Sequence, residues 1–437
     1  MQHPRPWLRR SLLALAVAAI TVAAAACGSS TSGGTSGGKT QLSFLEKYPE
    51  PERAPYFQKV VADYQAAHPN VTINLQAVGD QPIKDKLRVL TASHQLPDIY
   101  FSWPGEFTNK FVRAGLAADL TSAVKGTDWE KSMPAAAWDA YSYQGKIYGV
   151  PISLDAKVFA YNTEIFKKNG ISVPKTLDDL LADCGKLKAA GVDPIAFGNQ
   201  FGWPAIHYLT TLNAKYVPAA TLAQDYNPKT ASFSDPGYVK ALQTFQTINK
   251  ACLTQGANGI SHESAQAQML NGKAAMQYLE VVEFRNLKKG TAPAAFADNW
   301  SFFAFPAVPG ATGDQNALTG APDGFLVNAQ SKHKDTAIDF LKFLTNQKNA
   351  QNIVSQAGFL SPVAGSLTPQ NSYPQLQDAL KLIQHTSAFS VWLDTAADAK
   401  VASAYLAGAQ GLLDGSKSPD QVMSDVKQAS QQAKQSG

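Results

Sequence analysis

The stretch "TQLSFLEKYPEPERAPYFQKVVADYQAAHPNVTINLQAV", residues 40–78, decides the fold class. Leu42 and Phe44 alternate with polar neighbours as in a half-buried strand. Phe57, Val60, Val61 and Tyr64 recur at helical spacing, and Val71, Ile73 and Leu75 alternate again. Strand, helix, strand is a βαβ unit, which implies a parallel sheet. A second such unit reads from "DAKVFAYNTEIFKKNGISVPKTLDDLLADCGKLKAAGVDPIAFG", residues 155–198. Val158 to Tyr161 is strand-like. Thr176 can cap the helix it precedes, with Asp178 and Asp179 in the first turn favoured by the helix dipole, and Gly191 suits the end of that helix. The repeated order makes the class α/β.

Beyond about residue 335 the pattern becomes helical, in "DTAIDFLKFLTNQKNAQNIVSQAG" (335–358) and again over residues 396–435. Both segments have an apolar stripe and a polar face, and the expectation is that both lie against sheets. A chain of 437 residues exceeds one ordinary core, so two domains are expected, and 45% hydrophobic with 16% charged residues suits a globular protein. No repeat at solenoid spacing is present, and past Ala26 no apolar run is long enough to cross a bilayer.

Residues 1–26 read differently. "MQHPRPWLRR" carries three arginines and precedes the apolar "SLLALAVAAITVAAAA", the layout of a signal peptide. Cys27 then opens "CGSSTSGGTSGGKT", a Gly/Ser/Thr tract expected to be a flexible linker over 27–40, spanning roughly 20 Å by random-coil scaling. Removing residues 1–26 takes away Arg5, Arg9 and Arg10 and no acids, so the net charge falls from +4 to +1 (4 − 3). The basic balance thus belongs to the export signal, and the mature chain has no basic stripe to support nucleic-acid binding. Cys184 and Cys252 are the other two cysteines, and an oxidising exterior allows them to pair. A bond would close a loop of about 70 residues and contribute about 4 kcal/mol in the chain-entropy model; two buried free thiols are the alternative.

The seven histidines are dispersed, with no H-E-x-x-H and no Cys-x-x-Cys, so no metal site or cofactor is expected. There is no G-x-S-x-G elbow and no G-x-G-x-x-G, and "NGKAAM" lacks the first glycine and the Ser/Thr of a phosphate loop. What remains is a set of aromatic and acidic residues at apparent strand ends and loops. Trp103 stands on the turn after the apolar Ile99–Phe101 run in "DIYFSWPGEF" (98–107), where a ring is hard to bury and is expected to face a cleft. With it stand Trp203 in "GNQFGWPAIHY", Asp155 in "GVPISLDAKVF", Glu280 in "AAMQYLEVVEF", Asp323 in "GAPDGF", and Trp392 with Asp394 in "SVWLDTAAD". Ligands of open α/β sheets collect beyond the carboxyl ends of strands, indole faces suit the C–H faces of a pyranose, and carboxylates accept from its hydroxyls. Trp129, Trp138 and Trp300 are accompanied by no other polar candidate and read as structural.

In order along the chain, "FSWPGEFTNKFVRAGLAADLT", "VFAYNTEIFKKNGISVPKTLDDL", "MLNGKAAM", "DTAIDFLKFLTN" and "AQGLLDGSKSPDQVM" resemble the extracellular solute-binding lipoproteins of ATP-binding-cassette sugar importers, related to the maltodextrin-binding protein. The "AAAC" that ends in Cys27 resembles a lipobox, in which the cysteine is acylated and becomes the new N-terminus. The resemblance implies a two-lobe α/β fold of the periplasmic-binding-protein type II, with a hinge crossed three times, near Val150–Leu154, Phe303–Pro306 and Leu360–Ala364. Lobe 1 then combines residues 41–151 and 306–361, and lobe 2 residues 152–305 and 362–437. It places Trp103 and Trp203 at aromatic contacts from the two lobes and Asp155 at an acidic one, with Asp323, Asp394 and Glu46 as further cleft candidates. After "GKAAM" the family usually has a small-residue turn and a Trp; here "QYLEVVEF" offers Glu280 or Glu283 instead, exchanging an aromatic contact for a hydrogen-bonding one.

The function this implies is non-enzymatic. A monomeric receptor, lipid-anchored through Cys27 on the extracytoplasmic face of the bacterial cell membrane, captures a mono- or short oligosaccharide and delivers it to an ABC permease pair. Two other readings stay open: a binding protein for a polyamine or amino-acid derivative, and a secreted glycoside hydrolase, which would need a carboxylate pair about 5 to 10 Å apart.

Overall fold

The computed structural model describes residues 39–436. The segments expected above to be a signal peptide and linker, up to residue 38, and the expected acylation position Cys27 lie outside the described residues. Thr40, assigned above to the linker, is instead the first residue of a strand. Lys39–Gly437 forms one compact unit.

The deciding stretch folds as read. β1 (Thr40–Glu46), α1 (Ala54–Ala67) and β2 (Val71–Ala77) form a parallel βαβ unit, with Thr40 opposite Val71 and Glu46 opposite Ala77. Helix α1 turns Tyr56, Phe57, Val60, Val61 and Tyr64 onto the sheet. α2 (Asp80–Ala92) leads to β3 (Ile99–Ser102), parallel to β1, and the chain continues into α3 (Glu106–Arg113). β4 (Gly149–Ser153) is the last of this run.

β5 (Lys157–Asn162) opens a second sheet. α4 (Leu177–Ala189) begins at a capping box in which the Thr176 hydroxyl accepts from Asp179 N–H and the Asp179 carboxylate accepts from Thr176 N–H; β6 (Asp193–Ile195) follows. Next come α5 (Trp203–Tyr216), α6 (Gly237–Cys252), α7 (His262–Leu270), β7 (Ala274–Glu280) and β8 (Trp300–Phe303). β9 (Asp323–Val327) returns to the first sheet, followed by α8 (Lys334–Leu344), α9 (Ala399–Asp414) and α10 (Pro419–Ser436).

The first sheet has the order β2-β1-β3-β9-β4, with β9 antiparallel to both neighbours. The second is β8-β5-β7-β6, in which only β6 and β7 run parallel. The second strand-helix-strand unit is therefore not a parallel crossover: β7 inserts between β5 and β6, and β5 runs antiparallel to it. A local pattern cannot register a strand that arrives about eighty residues later.

Three segments pass side by side between the sheets. Leu154 N–H donates to Leu360 carbonyl at 2.6 Å, and Gly320 lies so close to Asp155 that a Cβ there would sit 2.2 Å from its carbonyl oxygen. Phe305, Val308 and Ala317 pack into the core of the second sheet, whereas Ala321 and Phe325 belong to that of the first. Two arginines also join the sides: Arg53 donates to Val282 carbonyl at 3.2 Å, and Arg285 donates to the carbonyls of Glu52 and Ala357 at 2.8 and 3.0 Å.

Helix α8 buries Ala337, Phe340, Leu341 and Leu344 in the core of the first sheet. The last pair differs from expectation: α9 and α10 pack on each other and on α5 and α6, helices that themselves cover the second sheet. Their apolar stripes meet helices, a partner that a stripe alone does not specify. Cys184 on α4 and Cys252 at the end of α6 are joined by a disulfide, with Cα atoms 5.3 Å apart and both residues inaccessible. Among the described residues no helix is long and apolar enough to cross a membrane.

Candidate ligand-binding site

Beyond the carboxyl ends of β1 and β3, and facing α5 and β7, lies a cavity of about 270 Å³. Six of the eight candidates line it: Trp103, Asp155, Trp203, Glu280, Trp392 and Asp394. Glu46 and Asp323 do not. Asp323 stands behind the wall, where its Oδ2 accepts from Tyr48 hydroxyl at 2.6 Å and meets Lys47 Nζ at 3.0 Å. Glu46 is fully buried at the end of β1, with Oε2 accepting from Tyr48 N–H and Oε1 without a partner. Burial raises its carboxyl from an ordinary 4.5 to about 7, against the Tyr48 N–H and with the help of Glu50.

Trp103 is not the open ring expected of a strand-end turn: it is 4% exposed. The turn is roofed by residues 392–396. Gly105 (φ +83°) comes so near that a Cβ would lie 2.9 Å from Ala396 Cα, and this closeness requires glycine in both space and backbone angle. Phe101 and Phe107 meet the indole edge-on at 4.7 and 5.0 Å. Lys47 and Lys84 each hold an ammonium 4.9 Å from its centroid. The first indole of the site therefore carries cations on its ring.

Those lysines are the main feature that sequence reasoning missed. Lys47 pairs with Asp323 and, at 3.3 Å, with Asp80; Lys84 pairs with Asp394 at 2.9 Å. Burial alone would lower Lys47, but Asp323, Asp80 and Glu280 outweigh it and hold the ammonium above the usual lysine range. Asp394 and Asp80 raise Lys84 in the same way against burial. For Asp80, burial acts upward, and Lys47 and Lys84 nevertheless bring the carboxyl below its ordinary value. A signal was available: Lys47 follows Glu46 in the strand-end turn already singled out, and Lys84 falls one helical turn after Asp80.

The opposite wall begins at Gly202, whose left-handed backbone (φ +78°) starts α5, with Pro204 in the first turn. Trp203 and His207, four residues apart, share one face of α5. His207 stacks on Trp392 at 4.3 Å, and Trp203 lies 5.0 Å from His207 and 4.7 Å from His262. Burial, with the charges of Lys157 and Lys84 added, pushes the His207 imidazole well below the usual histidine range, so the ring is neutral. Its Nδ1 has no hydrogen-bond partner and stands 3.5 Å from Glu280 Oε1. Phe201, 52% exposed, completes this wall; its place beside Trp203 in "QFGW" was the readable sign.

Asp155 Oδ1 accepts from Ala156 and Val282 N–H at 2.8 and 3.2 Å. Burial nonetheless drives its carboxyl well above the usual range, and the charges of Glu280 and Asp323 add to this. Burial also raises Glu280, against the charge of Lys157. Glu283, the alternative to Glu280, is absent from the cavity lining. It accepts from Gln266 Nε2 and pairs with His262 Nε2, both at 2.7 Å, and accepts from Glu280 N–H at 2.8 Å. Burial would raise it, yet His262 brings it down to about 2. Trp138 and Trp300 are core residues, and Trp129 meets Trp138 edge-on at 5.4 Å.

A larger cavity of about 690 Å³ lies on the far side of the 389–398 segment, with Glu106, Arg113, Tyr226 and Asp398 in its lining. None of the aromatic and acidic candidates opens on it, so the convergence of side chains, not size, marks the smaller cavity as the candidate site. Among the described residues no group of three or more His, Cys, Asp or Glu is arranged to hold a metal ion.

Comparison with known proteins bears on the family and the fold. The chain is 25% identical over 349 residues to the multiple sugar-binding protein of Streptococcus mutans, covering 77% of this chain and 78% of that protein. It superposes on the structure of a chitin oligosaccharide binding protein with a TM-score of 0.82 at 22% identity, over 91% of this chain and 99% of that one. A protein from a study of xylan utilisation by Caldanaerobius polysaccharolyticus gives 0.80 at 23% identity, over 91% and 99%. These likenesses establish the two-lobe solute-binding fold. Residues 49–351 match the bacterial extracellular solute-binding protein model, and the chain belongs to that family.

Proposed function

We propose that the protein is the receptor of an ABC importer, capturing a mono- or short oligosaccharide in the cavity between its lobes and handing it to a permease pair. One observation carries this reading: Trp103 from the first sheet, Trp203 from α5 and Trp392 from the linking segment converge on a single cavity with Asp155, Glu280 and Asp394. Aromatic rings supply apolar faces, and carboxylates supply acceptors for hydroxyls. A volume of about 270 Å³ lies near the lower edge of small-molecule pockets, roughly 300 Å³, and favours one or two sugar units. Similarity to a multiple sugar-binding protein and to a chitin oligosaccharide binding protein supports the same reading.

In this reading the lobes divide at the three adjacent segments. The second crossing then falls at 319–321, later than the Phe303–Pro306 expected above, because Phe305, Val308 and Ala317 pack with the second sheet. Closure about these segments brings the rings of both lobes onto the sugar. Acylation of Cys27 would hold the monomer at the extracytoplasmic face of the membrane. The protein binds and releases its sugar unchanged.

A thermal-shift screen of the exported chain against mono-, di- and trisaccharides tests this, because a ligand of the native state raises the melting temperature. At least one sugar is expected to do so and to be recovered intact after long incubation. A flat screen refutes the sugar reading, and cleavage refutes the binding role.

A further inference from the structure

The cavity is over-supplied with carboxyl groups. Its lining holds six, Glu50, Asp80, Asp155, Glu263, Glu280 and Asp394, against the two ammoniums of Lys47 and Lys84, with a third ammonium, that of Lys157, buried 5.0 Å from the Trp203 centroid. Both ammoniums are already engaged by Asp80, Asp323 and Asp394. Among the described residues, no lysine or arginine nitrogen lies within ion-pair distance of Asp155 or Glu280. Glu280 Oε1 stands 3.5 Å from Nδ1 of the neutral His207 ring, and Lys157 acts on Glu280 through space without pairing with it.

A second observation marks the same place. His207, 5% exposed, leaves Nδ1 without a partner beside Glu280, and Asp394, with its side chain 7% exposed, leaves Oδ1 without one. Unpaired buried polar atoms cost stability and are usually completed by a ligand or water. A hydroxyl donates one hydrogen bond to such a group. A protonated amine donates several and supplies a positive charge that favours ionised carboxyls. The Trp103 wall already accommodates ammonium groups on its ring.

We propose that the sugar taken by this cavity is an amino sugar, whose protonated amine is received between Asp155 and Glu280 while Trp203 and Trp392 contact the ring. This rests on the sugar-binding reading above and narrows it from carbohydrates in general to cationic ones. A purely hydroxylated or N-acetylated sugar brings no cation to favour the ionised form of these two raised carboxyls.

The test is calorimetric titration of the exported chain with matched sets: glucosamine, galactosamine and mannosamine, their hydroxyl parents, their N-acetyl derivatives, the corresponding β-1,4-linked glucosamine and glucose disaccharides, and spermidine. At least one amine is expected to bind roughly tenfold or more tightly than both its parent and its N-acetyl derivative, as charged hydrogen bonds allow. That preference should shrink as salt rises. It should collapse in Asp155→Asn and Glu280→Gln, which preserve side-chain volume; far-UV circular dichroism checks that the variants fold. Hydroxyl parents that bind as well as the amines overturn the inference and leave the sugar reading standing. Binding of spermidine with no response to any sugar overturns both, and a response flat across every set overturns the inference as well.

Discussion

Glu46 offers a test of the electrostatics that needs no ligand. Its carboxyl is inaccessible, one oxygen has no partner, and it titrates at about 7 in the native protein against an ordinary 4.5. The folded state therefore holds this proton more tightly than the unfolded state does. The stability gained from it is complete below pH 4.5, declines as the pH rises through the interval to about 7, and is lost above. At about 1.36 kcal/mol for each tenfold change in proton affinity, the interval corresponds to up to about 3 kcal/mol. Glu46→Gln cannot titrate, yet it keeps an oxygen to accept from Tyr48 N–H. Urea unfolding of both proteins at several pH values between about 4.5 and 8 isolates the effect, because every other group cancels in the difference. Relative to the variant, the parent should lose about 2 to 3 kcal/mol across the range, with the glutamine form the more stable at the alkaline end. A difference that stays level would refute the assignment of Glu46 as a carboxyl raised by burial.

Four further outcomes follow from the structure. Replacing Cys184 and Cys252 together by alanine removes a cross-link spanning 68 residues and should lower the unfolding free energy in urea by about 4 kcal/mol; a loss below about 1 kcal/mol contradicts the loop-entropy account. Lys47→Met leaves Asp323 and Asp80 without their shared cation, with an expected cost of about 3 kcal/mol in the same assay; unchanged stability means the network is not structural. Gly105→Ala should weaken sugar binding, since its Cβ meets Ala396 and its φ is +83°, and calorimetry that finds the parent affinity sets aside the roofed-turn argument. Trp203→Ala should raise the dissociation constant several-fold, as expected for a desolvated ring worth about 1 to 3 kcal/mol; an unaltered constant returns Trp203 to a packing role.

What the sequence made legible was what local chemistry dictates. Residues 40–78 revealed their βαβ unit because its partners are neighbours in the chain, and Thr176 with Asp179 announced a helix start because a cap is satisfied within one turn. The insertion of β7 beside β5 was hidden, since strand pairing across more than a hundred residues leaves no mark on either strand's alternation. The same divide runs through the site. Trp203 and Trp392 were found from their loop settings, but nothing local tells that residues 392–396 close over Trp103. The lysines escaped for a related reason: the search sought rings and acids to grip a sugar, and a lysine in a polar turn looks like any solvated one. Its meaning comes from Asp323, 276 positions away, and from Asp394, 310 positions beyond Lys84.

Arg53 and Arg285 bind across the lobes by donating to main-chain carbonyls at Val282, Glu52 and Ala357. Every amino acid brings such a carbonyl, so the accepting positions can drift freely over generations while the connection survives. The two guanidinium positions have no such latitude, for no other side chain presents the same fork of donors. The evolutionary burden of this junction is thus one-sided: a lineage can rewrite the receivers almost at will, but a single substitution at either giver severs its half of the seam.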